Sequence, residues 1–254
     1  MNSYYAIYMC FSIQVDKDLK KLSKLFNAKI DESHYKSLEV PRSKGPQYIK
    51  EQLGLKRIPK NIFPLDYEET NRIYSDCFTP VLRCEKGDNE FIHMRFHVRP
   101  NGSKEEIRIR DQKGKLKRAG IYNARVESLP VKQIWSRLFM NNHGLIPFKK
   151  FYEFVYPKGV KNEVSFRADS HEVMWAPCVY DFWESPDKSF GFYSFALITN
   201  EPPNEVREAG HDRCPIFLEE QYINDWLNPQ DETVDEILEM LTYKEPDKFI
   251  CEPI

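Results

Sequence analysis

Asn123-Ala124-Arg125-Val126-Glu127-Ser128 places an amide, a guanidinium and a carboxylate at every second position. In an extended chain side chains alternate, so Asn123, Arg125 and Glu127 share one face and Ala124 and Val126 the other. An amide orients a reacting group without changing charge, and a guanidinium grips a phosphate or carboxylate with its planar fork. The same pattern also describes an edge strand with a solvated polar face, so its meaning depends on partners. Glu153 is the first candidate. It shares a strand face with Phe151 and Val155. Against an apolar wall its pKa rises and it becomes an acid or base near neutrality; in water it is an ordinary strand glutamate. His211 is the second, in a loop beside Asp212 and Arg213. Loops often carry functional residues, although a turn histidine bonded to backbone has the same sequence.

Cys10 offers a different chemistry. A mid-strand cysteine is commonly a small buried hydrophobe. It follows Met9, however, and a chain begun at Met9 and stripped of that methionine would start with Cys10. An N-terminal cysteine carries an amine and a thiol on adjacent carbons. The amine forms an imine with an aldehyde, and the thiol then closes a five-membered thiazolidine ring. The other cysteines, 77, 84, 178, 214 and 251, form no Cys-x-x-Cys pair and no His/Cys spacing suited to zinc. No metal and no cofactor is expected.

The elements that must position these residues read as follows. The chain has 254 residues, enough to bury a substantial core, and its 14% aromatic content recurs throughout. Free thiols, no signal-peptide pattern and no apolar run of membrane length predict a cytoplasmic protein without a membrane span. Net charge is −2, so no global basic signal points at nucleic acid. Locally the balance differs, because residues 86–118 are rich in Lys and Arg and the chain after Trp226 is mainly acidic. A local basic region holds a polyanion even when the whole protein does not attract one. Strands are predicted over 4–13, 78–83, 90–99, 105–110, 145–156, 172–183 and 190–199. Asn101-Gly102 and Lys113-Gly114-Lys115 mark turns of a charged hairpin. Helices are predicted over 16–28, capped by Asp16 with Leu19, Leu22, Leu25 and Phe26 inward, from Pro130 to Asn141, around Tyr222–Leu227, and over 231–243. Residues 31–66, with four prolines, read as a surface excursion, and 204–214 as a loop or short helix. Strands and helices mix without βαβ alternation. The expected fold class is α+β, one domain over 1–254 with a mostly antiparallel, barrel-like β core flanked by helices.

In order along the chain, Met9-Cys10-Phe11, Asn123 to Glu127, Leu145-Ile146-Pro147 with Phe151-Tyr152-Glu153-Phe154, Ala176 to Glu184, Thr199-Asn200, His211-Asp212-Arg213-Cys214-Pro215 and Trp226-Leu227-Asn228-Pro229 resemble the motifs of the SRAP family, the SOS-response-associated peptidase-like proteins. The resemblance implies a barrel-like fold with a groove for single-stranded DNA, and covalent capture of abasic sites by an N-terminal cysteine through a thiazolidine. It implies Cys10 as nucleophile, Asn123 orienting its amine or the product ring, Glu153 shuttling protons, and His211 assisting ring opening and reversal. Arg125 and Arg213 would hold phosphates. Arg95-Phe96 stands where the family has Arg-Trp, and Phe96 would stack on a base, more weakly than indole. The implied peptidase activity is self-processing that exposes the cysteine amine. Three departures stand out: eight residues precede Met9, His97 replaces a family glycine, and 101–120 is a charged insertion. The expected partner is single-stranded DNA containing abasic sites, and the expected state a monomer. The alternatives are a diverged, non-covalent binder of single-stranded DNA and a thiol autopeptidase.

Overall fold

The computed structural model describes residues 12–16, 18–31, 33, 43–53, 58, 72–111, 113–156, 159–244 and 248–254. The expected strand over 4–13 falls outside these residues up to position 11, as does Cys10; most of the 31–66 excursion also falls outside them. Five strands close on themselves: β4 (Phe78–Glu85), β5 (Asp88–Phe96), β12 (Gly191–Asn200), β11 (Met174–Glu184) and β9 (His143–Val155). Closure is made by the antiparallel pairing of β9 with β11, from His143 opposite Val179 to Phe148 opposite Met174. Most pairings are antiparallel; β12 runs parallel to β5 and to β8 (Asn123–Arg125), and β2 (Lys29–Ile30) parallel to β5. The fold is therefore α+β around a mixed barrel.

β9 is 13 residues long, and only its first half belongs to the barrel wall. Its second half pairs with β1 (Ser12–Val15), itself paired with β3 (Arg72–Tyr74), and with β10 (Asn162–Ala168), which continues to β14 (Phe249–Pro253). Ile13, Phe148, Phe151, Phe166, Phe195 and Phe217 fill the interior, all 2% exposed or less. A second apolar layer, including Trp135, Leu138, Val179 and Trp226, lies against the helices. Gly144 is required where β4, β9 and β11 crowd together, since a Cβ there would stand 2.8 Å from the Val81 side chain.

The helices are shorter than predicted. α1 (Leu19–Leu25) is capped by Asp18, which accepts from Lys21 N at 3.0 Å, not by Asp16. Its two turns bury Leu22 but leave Leu25 60% exposed. The remaining helices are α2 (Pro46–Leu53), α3 (Gln133–Phe139), α4 (Asn204–Glu208), α5 (Ile223–Leu227) and α6 (Val234–Met240). α6 starts with a capping box between Thr233 and Glu236.

The insertion is anchored by buried charge. Arg95 is fully buried, and its guanidinium reaches Asp76 at 2.6 Å and Glu106 at 2.8 Å. Arg118 reaches the same Asp76 at 2.6 Å and Glu106 at 3.4 Å. Burial pushes the Asp76 carboxyl up, but the charges of Arg95 and Arg118, with the Arg118 hydrogen bonds and His97, outweigh it and hold it well below the usual carboxylate range. His97 beside it has φ +152°, a backbone region that costs a non-glycine residue about 1–3 kcal/mol. Burial and then the Arg95 and Arg118 charges lower its pKa well below the ordinary value, so it is neutral.

Removing one partner from such a network strands the others in the interior. Asp76→Asn is expected to lower unfolding free energy by about 3 kcal/mol in urea titrations at neutral pH. Because the folded pKa of Asp76 is depressed, its contribution is complete above about pH 5 and is lost as the pH falls below about 4. The difference between wild type and Asp76→Asn should therefore shrink through that acidic range; a constant difference down to pH 2 would refute the assignment.

Candidate active site

Three segments converge on the C-terminal end of β12. Leu197, Ile198 and Thr199 lie beside Asn123, Ala124 and Arg125 of β8 on one edge. Thr199 and Asn200 lie beside Pro215 and Cys214 of β13 (Cys214–Pro215) on the other. The Thr199 hydroxyl donates to Ala124 O at 3.4 Å, tying β8 to β12. β8 stops at Arg125, earlier than the sequence suggested. Ser128 donates its hydroxyl to Arg125 O at 2.9 Å, and Val126–Ser128 turns into a 3₁₀ helix. Glu127 consequently leaves the Asn123 face and pairs with Arg213, whose Nη1 lies 3.2 Å from Glu127 Oε2.

Asn123 is 4% exposed, and neither atom of its amide has a hydrogen bond among the described residues. Leaving a buried donor or acceptor unmade costs about 1–3 kcal/mol. Such an amide is ready to bond a substrate group at no further desolvation cost. Glu153, in the second half of β9 opposite Val164 of β10, is 1% exposed, so it stands in the interior rather than in water. His211 follows the left-handed turn at Gly210 (φ +98°), and its N–H bonds Val206 O at 3.1 Å.

The imidazole joins these parts. Its Nδ1 lies 2.8 Å from Arg213 O and 3.4 Å from Arg213 N; the shorter contact with the carbonyl decides that Nδ1 carries a proton. Its Nε2 lies 3.1 Å from Glu153 Oε2. At that distance the two form an ion pair whenever the ring is protonated. A carboxyl and an imidazole held this close in the interior are a suitable pair for passing a proton without bulk water.

The thiols in view are poor nucleophiles. Burial pushes Cys77 up to about 12 and Cys178 well above its ordinary value. Burial followed by the nearby Glu153 charge does the same to Cys214. Partial burial and then Glu252 raise exposed Cys251.

Among the expected phosphate ligands, Arg125 is half-buried and its side chain makes no ion pair among the described residues. Arg213 is held by Glu127. Partial burial disfavours the Glu127 charge, but the Arg213 hydrogen bond and the charges of Arg213 and Arg125 keep its carboxyl below the usual range. Arg95 and Phe96 are corrected. Both are 0% exposed, Arg95 within its acidic network and Phe96 stacked on Phe195 at 5.1 Å, so neither presents a face to a base or phosphate. The Glu127–Arg213 bridge between the two flanking segments was not foreseen, because its partners are 86 positions apart. Nor was the nearness of Cys214 to Glu153. Among the described residues no group of His, Cys, Asp and Glu is arranged to hold a metal, and no helix is long and apolar enough to cross a membrane.

Solved structures share this fold. A Bordetella bronchiseptica protein superposes with TM-score 0.66 at 15% identity over 96% of this chain and 99% of its own. A Bacteroides thetaiotaomicron protein gives 0.65 at 16% identity over 96% and 92%. The family model for SRAP, SOS response associated peptidase, matches residues 9–254, and the chain belongs to that family. Abasic site processing protein YoqW of Bacillus subtilis is 30% identical over 121 residues, 47% of this chain and 53% of its own. Abasic site processing protein YoaM of the same organism is 28% identical over 120 residues, 47% and 52%. The chain thus spans about half the length of the curated relatives it matches.

Taking a carboxylate out of water costs more stability than taking out an amide of the same shape. Glu153→Gln keeps the shape and removes the charge, so it is expected to raise unfolding free energy by about 1 kcal/mol, or leave it unchanged, in thermal and urea unfolding. A loss of more than about 1 kcal/mol would make Glu153 a structural anchor instead.

Proposed function

We propose that this protein captures abasic sites in single-stranded DNA as a covalent thiazolidine on Cys10. The observation that carries the reading is the buried Glu153–His211 pair, with His211 Nε2 3.1 Å from Glu153 Oε2. Family membership and the abasic-site names of the relatives support it. Cys10 stands two residues before Ser12, and Ser12 pairs with Tyr152, the neighbour of Glu153.

The abasic sugar opens to expose its C1′ aldehyde. The Cys10 amine attacks that carbon, and the carbinolamine loses water to give an imine. The thiol sulfur then adds to the imine carbon while the proton it loses passes to nitrogen, so the net reaction releases one water. Glu153 takes and returns the protons of amine addition and dehydration, with His211 as the second station. Asn123 orients the amine and later the ring. Arg125 and Arg213 hold phosphates, which position the strand without reading its bases. All of this needs a free α-amine on Cys10, hence removal or absence of residues 1–9. Hydrolysis of the Met9–Cys10 bond by the protein itself is the peptidase activity that serves this reading.

Intact mass spectrometry tests the reading. A chain beginning at Met9, incubated with an abasic single-stranded oligonucleotide, is expected to gain the mass of the DNA less one water. Cys10→Ser should give no adduct, and Glu153→Gln should slow its formation by about 100-fold. Failure of the Met9 chain to form an adduct would overturn the proposal; an unchanged rate in Glu153→Gln would remove Glu153 from the mechanism.

A further inference from the structure

The charged insertion ends in a two-stranded sheet of its own, β6 (Arg108–Arg110) and β7 (Leu116–Arg118), not joined to the main sheet. Arg108 faces Arg118, and Arg110 faces Leu116. Arg108, Arg110, Lys113, Lys115 and Lys117 are exposed and make no ion pair among the described residues. The nearby acids are engaged elsewhere. Asp111 accepts from the N–H groups of Lys113 and Lys115 within the turn, and Glu106 is buried against Arg95 and Arg118. The base of the ribbon is thus fixed in the core while its tip carries cations that repel one another. From residue 99 to 120 there is no aromatic side chain. A single strand is gripped by stacking as well as charge, whereas a duplex offers only phosphates and grooves to such a surface. Same-face residues two apart on a strand stand about 6.7 Å from each other, close to the spacing of successive phosphates, and a two-stranded ribbon fits the major groove.

We propose that the 108–118 ribbon is a second nucleic-acid site, one that binds the phosphate backbone of double-stranded DNA beside the single-stranded segment held at Asn123. It rests on the reading of the protein as DNA-directed. The ribbon runs into the candidate site within five residues, from Arg118 to Asn123, so duplex bound there would be continuous with the captured strand.

The test compares the Kd of the full chain for a blunt duplex and for one of its single strands over a range of salt. Changing Arg108, Arg110, Lys113, Lys115 and Lys117 to Gln should weaken duplex binding at least about tenfold near 0.1 M salt and reduce its salt slope by about 3. Single-strand affinity should stay within about twofold, and the thermal midpoint should hold because Glu106 and Arg118 are untouched. Lys113→Gln with Lys115→Gln, which spares the strands, should show a smaller loss in the same direction. An unchanged duplex affinity, equal losses on duplex and single strand, or no duplex binding by wild type would each overturn the proposal. Adduct formation on abasic single strand is read separately, so loss of the arm and failure of covalent capture are told apart.

Discussion

Closure of the barrel between β9 and β11 is the constraint on which the remaining geometry depends. A barrel needs both edges of every wall strand paired, and β9 supplies the last pairing with its first half alone. At about 3.3 Å per residue the strand is roughly twice as long as that task requires. The surplus runs on as a platform for β1 and β10, and Glu153 lies on it. The carboxylate is therefore held by a rigid strand whose other half is locked in the wall. The partner imidazole comes from a loop, but that loop is pinned between α4 and β13. Both halves of the acid/base pair are set by backbone hydrogen bonds rather than by side-chain packing.

The site accumulates costs that a structural region would avoid. Asn123 has no hydrogen bond to its amide among the described residues, and Glu153 and His211 bring two titratable groups together in the interior. Each removes stability that an apolar side chain of similar size would restore. Such costs are tolerated where the environment must change the behaviour of a group, as in tuning a carboxyl or pre-orienting an amide. By contrast, Asp76, Arg95 and Glu106 are buried, Arg118 is half-buried, and all four are paired with one another. Among the described residues it is the unmade Asn123 amide that sets the candidate site apart.

Much of the barrel was legible because its strands are long, aromatic and bounded by turns. Gly102 and Gly114, read from the sequence as turn positions, both have left-handed backbone. β10 and β14 were not foreseen: Glu163 and Arg167 interrupt the one and Pro253 ends the other, so each reads as a polar connection until it is paired. In the site, Asn123, Glu153 and His211 were readable as residues of suitable type, while the approach of His211 to Glu153 was a property of topology. Arg95 and Phe96 show the opposite failure. Their types suggested a phosphate and a base, but period-two alternation in β5 is obscured because both of its faces are covered. An arginine inside a strand is then indistinguishable in sequence from one on a groove.

The insertion shows how a surface addition becomes part of a fold. A free hairpin of two three-residue strands is marginal in water, and mutual repulsion among its cations weakens it further. Glu106 and Arg118, at its two ends, join Asp76 and Arg95, which belong to the barrel, so the hairpin inherits order from the core. The strained backbone of His97 lies at the same junction, where β5 leaves the barrel for the insertion. Strain and buried charge both fall at this base, while the tip carries exposed lysines with no ion pair among the described residues. An arrangement that spends stability to fix an otherwise weak arm is reasonable only if the direction of that arm matters.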